Sequence, residues 1–401
     1  MSSKDSKLSH FFSIITLAML CAFAPMCSDL YLPSLPSIML NYDTNPSLIQ
    51  LSLTVSFLGL ALGQLIIGPL SDTYGRIRPL MVSLFIFIIC SFLCAIDTCI
   101  EFFVLLRFLQ GLAASGGIVL SRSIACDLFS GHKLTSFMAF LMAINSLAPI
   151  LAPIIGSFII TVAPWQMIFY ILSLWGLLLI ILSRFSLHET LEIDKRAKNV
   201  KYSLLLLKTE IYNRSFMLCS LSLSAIMGGF FSYLAASPFI FQSIYGLTAF
   251  EYSLTFAFIS VCISATGMLA GRLCRKFSEF KILRIALIVM LVTAFMIMFE
   301  ALWLPKSFVV VMLTLALFCA LMALSQSSGF GIVMGLRRGG AGAASGLFGV
   351  LSFLLGSLIS PFVGILGEKS MLPLGIIMIT CVIMAIVLLK SALKGVNTDK
   401  L

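Results

Sequence analysis

The chain has 401 residues, 60% of them hydrophobic and only 10% charged, with 26 Lys and Arg against 16 Asp and Glu for a formal net charge of +10. A soluble domain is nearer to about 45–50% apolar and about 25% charged, so a single soluble core of this composition is excluded, and no length remains for a separate catalytic domain. The basic residues lie in short segments between apolar runs, which reads as membrane topology rather than nucleic-acid binding.

A hydrocarbon core of about 30 Å takes roughly 20 apolar residues per spanning helix. Met1 to His10 is polar and carries Lys4 and Lys7. The apolar stretch Phe11 to Cys27 has no small-residue cleavage site and reads as a retained first helix rather than a signal peptide. Apolar runs at 11–33, 47–70, 79–97, 102–124, 134–160 and 165–184 make one set of six. A second set follows at 214–237, 250–272, 282–303, 307–330, 342–367 and 371–393. Between the sets lies the longest polar segment, His188 to Arg214, with Lys195, Arg196, Lys198, Lys201 and Lys208. Within it, Tyr202 to Leu207 reads as a short interfacial helix. The expected organisation is an N-terminal six-helix bundle over 1–187, a cytoplasmic basic linker over 188–213 and a C-terminal six-helix bundle over 214–401.

The distribution of Lys and Arg sets the orientation. Twenty-three of the 26 fall on the same side as the N-terminus, Lys306 and Lys369 fall on the other, and Arg107 lies within a run. That asymmetry places both termini in the cytoplasm. A faint repeat supports two related halves. Gly68 to Arg78 follows the second run and Gly271 to Lys281 follows the eighth, each starting with Gly and continuing into basic residues. Many secondary transporters pair two such halves, with the substrate site near the midplane.

The eleven Cys show no metal-ligand spacing; Cys21, Cys90, Cys262 and Cys319 lie in apolar runs and read as small hydrophobes. His10, His132 and His188 form no ligand cluster. There is no G-x-x-x-x-G-K-(S/T) phosphate loop, no H-E-x-x-H and no G-x-S-x-G. No enzyme, ATP-driven machinery, metal or cofactor is therefore expected.

Two ionisable residues inside the runs carry most of the chemistry. Asp29 sits in the first, and a carboxylate within the bilayer is expensive and a functional candidate by default. It reads as a proton carrier, loaded from outside and unloaded inside, with a cationic substrate as competitor. The blander alternative is an anchor near the outer interface. Arg107 in the fourth run needs a partner or an aqueous cavity, and Asp29 is one candidate. For the substrate cavity the residues singled out are Tyr31, Gln110, Asn145, Phe231, Tyr233 and Gln242. Aromatic rings stack on flat or cationic ligands, and amides orient them; packing is the competing reading. Pro149, Pro153 and Gly156 would bend the fifth helix and admit a close neighbour.

Several motifs resemble those of a known family. Gly68, Asp72, Gly75, Arg76 and Arg78 resemble the G-x-L-(A/S)-D-x-x-G-R-(R/K) signature of the major facilitator superfamily. Arg107, Gln110 and Gly111 resemble the R-x-x-Q-G motif of its drug/proton antiporter branch. Ala152-Pro153-Ile154-Ile155-Gly156-Ser157 partly resembles the antiporter motif G-P-x-x-G-G, with two glycines replaced. Ser28 to Pro36, Tyr233 to Gln242 and Arg122 to Asp127 are similar to Bcr/CflA-type multidrug exporters.

This resemblance implies an all-α polytopic fold of twelve transmembrane helices in two pseudo-symmetric bundles. It implies that Arg107 couples protonation to conformation. It also implies a cytoplasmic gate of Gly68, Asp72, Gly75, Arg76, Arg78 and Asp127, in which Asp72 caps a helix of the other half and Arg76 pairs with Asp127. The expected activity is proton-driven export of small organic, drug-like molecules from a bacterial inner membrane. The expected partners are substrate, protons and lipid, with no nucleic acid and a monomeric chain. An exporter dedicated to one metabolite such as a siderophore or amino acid, a symporter, a membrane receptor and a membrane enzyme are the rivals, in falling order.

Overall fold

The computed structural model describes residues 3–129, 131–192, 194, 196, 208–274, 276–303, 307–338, 341–364 and 370–392. Among these, twelve helices are long and apolar enough to cross a membrane. The interfacial helix expected at Tyr202–Leu207 lies outside the described residues.

The first span is a broken rod. Helix α1 (Ser3–Asp29) passes through a 3-10 turn (Leu32–Ser34) into α2 (Leu35–Asn41). Pro33 and Pro36 have no amide hydrogen, so the carbonyls of Asp29 and Leu32 lose their helical donors. The chain closes locally instead: the Ser34 amide and hydroxyl both donate to the Tyr31 carbonyl, at 2.9 and 2.6 Å. The apolar run ends near residue 33, but the span continues to Asn41.

The next spans are α3 (Pro46–Tyr74), α4 (Ile77–Ile96), α5 (Ile100–Leu128), α6 (Gly131–Val162) and α7 (Gln166–Ser186). The stretch read from sequence as the Gly68–Arg78 loop is largely helix: α3 continues through Tyr74, leaving Gly75 and Arg76 to turn into α4. Polar residues extend a spanning helix past its apolar run once its end reaches water.

The seventh span is also modified. Helix α8 (Arg214–Pro238) runs into a π-helical stretch (Phe239–Ile244). Pro238 offers no donor to the Leu234 carbonyl, and the Ser237 hydroxyl donates there at 3.3 Å. The remaining spans are α9 (Ala249–Leu273), α10 (Glu279–Trp303), α11 (Phe308–Gly335), α12 (Ala341–Ile359) with a 3-10 end (Ser360–Gly364), and α13 (Leu372–Ala392).

The chain divides into two compact units, Met1–Ser34 with Val55–Leu204, and Leu35–Thr54 with Leu205–Leu401. One boundary falls between the 3-10 turn and α2, and another inside α3. In the first unit α1 packs on α5, α6 and α7, and α4 packs on α5 and α7. In the second, α8 packs on α12 and α13, α9 on α11, and α10 on α11 and α13. The first turns of α3 belong to the second unit, where the Thr54 and Ser360 hydroxyls lie 2.7 Å apart.

Candidate transport site

The break in the first span positions the acid. Asp29 is the last residue of α1 and is 5% exposed. Its Oδ1 lies 2.8 Å from the Ser28 hydroxyl, which also lies 3.1 Å from the Pro25 carbonyl and can donate to only one of them at a time. None of the ion pairs among the described residues joins Asp29 to Arg107.

Arg107, fully buried on α5, is held differently from the partner offered by sequence. One guanidinium nitrogen donates to Gln110 Oε1 and lies 3.6 Å from Cys27 Sγ; the other lies 3.5 Å from the Cys27 carbonyl. The guanidinium carbon sits 4.1 Å from the centre of the Tyr31 ring and 5.6 Å from that of Phe169. A carbonyl close to the helix break thus takes part of the cation, and two aromatic faces take more. Nε is buried without a hydrogen-bond partner. Gln110 is fixed at its other end, where Nε2 donates to Ser91 Oγ on α4 at 2.7 Å. The Ser91 hydroxyl in turn donates to the Phe87 carbonyl at 2.7 Å. Gln110 therefore orients the arginine.

Helix α6 closes on the same break. A Cβ on Gly156 would lie 1.9 Å from the Leu30 carbonyl oxygen, so only glycine permits this approach. Pro149 and Pro153 lie inside α6 without ending it, as spanning helices allow. Pro149 leaves the carbonyl of half-buried Asn145 without its helical donor.

The residues singled out for the substrate cavity fall in both units. Tyr31, fully buried, lies under Arg107. In the second unit Tyr233 is 1% exposed and stacks on Phe256 of α9, with ring centres 6.3 Å apart and planes 12° from parallel. Phe231 packs 5.5 Å from Phe353 and against Gly356, where a Cβ would meet its ring at 1.9 Å. Gln242 is half-buried on the π-helical stretch.

At the α3–α4 junction, Arg76 organises a cluster. Its Nε donates to Asp127 Oδ2 at 2.9 Å, and NH1 donates to Asp72 Oδ1 at 2.5 Å and Ser71 Oγ at 2.9 Å. Burial pushes the Arg76 guanidinium down, but Asp127 and Asp72 outweigh it and hold it above its ordinary value. Gly75 has φ +90°, a left-handed conformation that favours glycine, and a Cβ there would strike the Glu189 carboxylate at 2.4 Å. Arg78 is exposed. A Cβ on Gly68 would meet nothing within 4 Å.

Sequence reading missed Glu189, Ser71 and Thr190 here. Glu189 accepts the Arg76 amide at 2.9 Å and the Ile77 amide at 3.3 Å, capping the N-terminus of α4 from across the unit. Thr190 donates to Asp127 at 2.8 Å. Burial pushes the Glu189 carboxyl up, but the amides of Arg76, Leu191 and Ile77 and the Arg196 charge outweigh it and hold it below its ordinary value. The signal was an acidic residue just past the sixth run, indistinguishable by sequence from any other solvated linker acid.

Twelve apolar spans among the described residues, a broken first span and a charge cluster at the α3–α4 junction have the form of a multi-pass transporter. The Major Facilitator Superfamily pattern matches residues 17–361, and the chain belongs to that family of transporters. It is 38% identical over 372 residues to the uncharacterized MFS-type transporter YdgK of Bacillus subtilis, covering 92% of both chains. It is 28% identical over 391 residues to the bicyclomycin resistance protein homolog of Haemophilus influenzae, covering 95% of this chain and 96% of that one. The multidrug resistance protein MdtL of Salmonella typhimurium is 29% identical over 394 residues, covering 93% and 94%. These relatives are consistent with a Bcr/CflA-type drug exporter. A bacterial homolog of the human lysosomal transporter Spinster, solved in an inward-facing and unoccupied conformation, shares the fold with a TM-score of 0.78, 12% identity and 97% coverage of each chain.

Proposed function

We propose that this chain is a proton-driven antiporter exporting small amphipathic, drug-like compounds by alternating access across a bacterial inner membrane, with both termini cytoplasmic. Asp29 carries this reading. It is buried at a helix break with a neutral hydroxyl as its partner, while Arg107 is engaged elsewhere. A carboxylate inside hydrocarbon needs a proton, a cation or water, so Asp29 is placed to take a proton in one state and give it up in another. Arg107 is tied to the same break through the Cys27 carbonyl and the Tyr31 ring, and it passes changes at the break to α4 and α5 through Gln110. A cationic substrate competes with the proton. The resistance names of two relatives support drug-type cargo. The gradient is the energy source, no cofactor takes part, and the monomer is the working unit.

The test is substrate-driven proton movement in proteoliposomes with a trapped pH dye, using cationic, zwitterionic and neutral compounds and siderophores. Wild type should move protons with several unrelated compounds, and Asp29→Asn should fall to the protein-free background while its melting temperature is retained. Proton movement that persists in Asp29→Asn removes the acid from the mechanism. A response to one compound alone makes the chain a dedicated exporter.

A further inference from the structure

A second carboxylate lies below the surface of the other unit. Glu300 is on α10, three residues from its end, and is 3% exposed. Thr314 on α11 donates to its Oε1 at 2.9 Å, and Oε2 is buried without a partner. Glu279, Lys281 and Arg284 belong to the opposite end of α10, roughly 25–30 Å away along the helix. Lys390 of α13 lies at that far end too, where it lines a groove together with Arg284. A further polar neighbour is Tyr245, which follows the π-helical stretch and whose hydroxyl is also buried without a partner. Burial, and after it the Glu300 charge, push the Tyr245 hydroxyl above its ordinary value.

Glu300 therefore faces a threonine hydroxyl and a phenol, and no cation among the described residues. As an ion it would have no compensating cation among the described residues, at a cost of several kcal/mol. A proton on Oε2 removes the charge. It also places a donor in a neighbourhood whose other unpartnered oxygen, that of Tyr245, can accept. We propose that Glu300 is a second proton-binding site, taking one proton on Oε2 in the unit that does not hold Asp29 and releasing it when its surroundings admit water. A total of two exchangeable protons per chain rests on the antiport reading above; proton binding at Glu300 does not.

The test uses dicyclohexylcarbodiimide, an apolar reagent that adds to neutral carboxylic acids. A cavity of about 550 Å³ lined by Phe299, Glu300, Trp303 and Val310 gives it a route. Purified full-length protein in detergent is labelled between pH 6 and 9 and its peptides weighed. Labelling at Glu300 should appear in wild type and Asp29→Asn alike, vanish in Glu300→Gln, and fall at least fivefold as pH rises. In parallel, the infrared carbonyl band of a buried neutral acid should disappear in Glu300→Gln. In proteoliposomes, protons moved per substrate should drop to about half in that variant. Glu300 left unlabelled while other carboxyls react, or labelled equally at pH 6 and 9, overturns the proposal. Because labelling needs no transport, a failure of antiport and a failure of this site are told apart.

Discussion

The first span breaks beside a charge, and the seventh beside an aromatic stack. Both breaks use proline to remove amide donors, Pro33 and Pro36 in one and Pro238 in the other, and each opens a six-helix set. Around the first lie Asp29 and the Arg107 guanidinium on Tyr31. Around the second, Tyr233 lies parallel to Phe256 and the Ser237 hydroxyl is 3.1 Å from the Tyr252 phenol. The π-helical stretch, Phe-Ile-Phe-Gln-Ser-Ile, holds no charge at all. The two halves thus share a backbone device and differ in chemistry: the first break gathers an acid and an arginine, the second aromatic rings.

Exchanging chemistry at each break gives the largest expected effects. Arg107→Lys keeps the charge but loses the planar fork that reaches Gln110 and Cys27 together. Proton-coupled transport should fall on the order of 100-fold, in kcat rather than KM. Tyr233→Leu should instead raise KM for flat compounds, by roughly fivefold for an aromatic contact of about 1 kcal/mol, with protons per substrate unchanged. Steady-state efflux with a pH readout measures both. A KM effect alone in Arg107→Lys, or lost proton movement in Tyr233→Leu, breaks the division between the units.

Two glycines sharpen the comparison at the level of packing. An added Cβ would lie 1.9 Å from its nearest neighbour at both Gly156 and Gly356. The neighbour is the Leu30 backbone carbonyl in the first case and the Phe231 ring in the second. A ring can tilt, whereas the carbonyl is fixed by the break itself. Gly156→Ala should therefore destabilise by about 2–3 kcal/mol and Gly356→Ala by about 1 kcal/mol, within the usual range for overpacking. Thermal unfolding in detergent gives the order, and the reverse order would mean that the first-span break is the softer one.

Much of this was legible in the sequence because bilayer energetics are severe. Twelve apolar runs, one acid and one arginine within them, and a glycine at a tight turn each stand out against a background that tolerates few such residues. What escaped depended on neighbours distant in the chain. Glu300 lies so near the end of its run that it passes for an interfacial acid, and its burial shows only once Thr314 and Tyr245 are placed. Arg107 invites an acidic partner, yet a backbone carbonyl beside a helix break and two ring faces take that role, and neither can be read from residue types. The hydrogen bonds that tie Gln110 to Arg107 and Ser91 are likewise visible only in three dimensions.

The smallest expected effect tests the one cluster whose capping acid was unreadable. Glu189→Gln leaves one acceptor oxygen where two now serve the Arg76 and Ile77 amides and weakens the 3.9 Å approach of Arg196. The loss should be about 1 kcal/mol, the scale of one hydrogen bond to a helix end. Its pH dependence has a definite sign. The folded-state carboxyl is held below its ordinary value, so its stabilisation is complete above the unfolded pKa of about 4.3 and is lost as pH falls through the lower folded value. The gap in melting temperature between wild type and Glu189→Gln should stay constant from about pH 8 to 5 and close below about pH 4. A gap that widens on acidification would mean that the protonated acid makes the better cap, and Glu189 would then be a neutral spacer beside Gly75 rather than the anion that holds the start of α4.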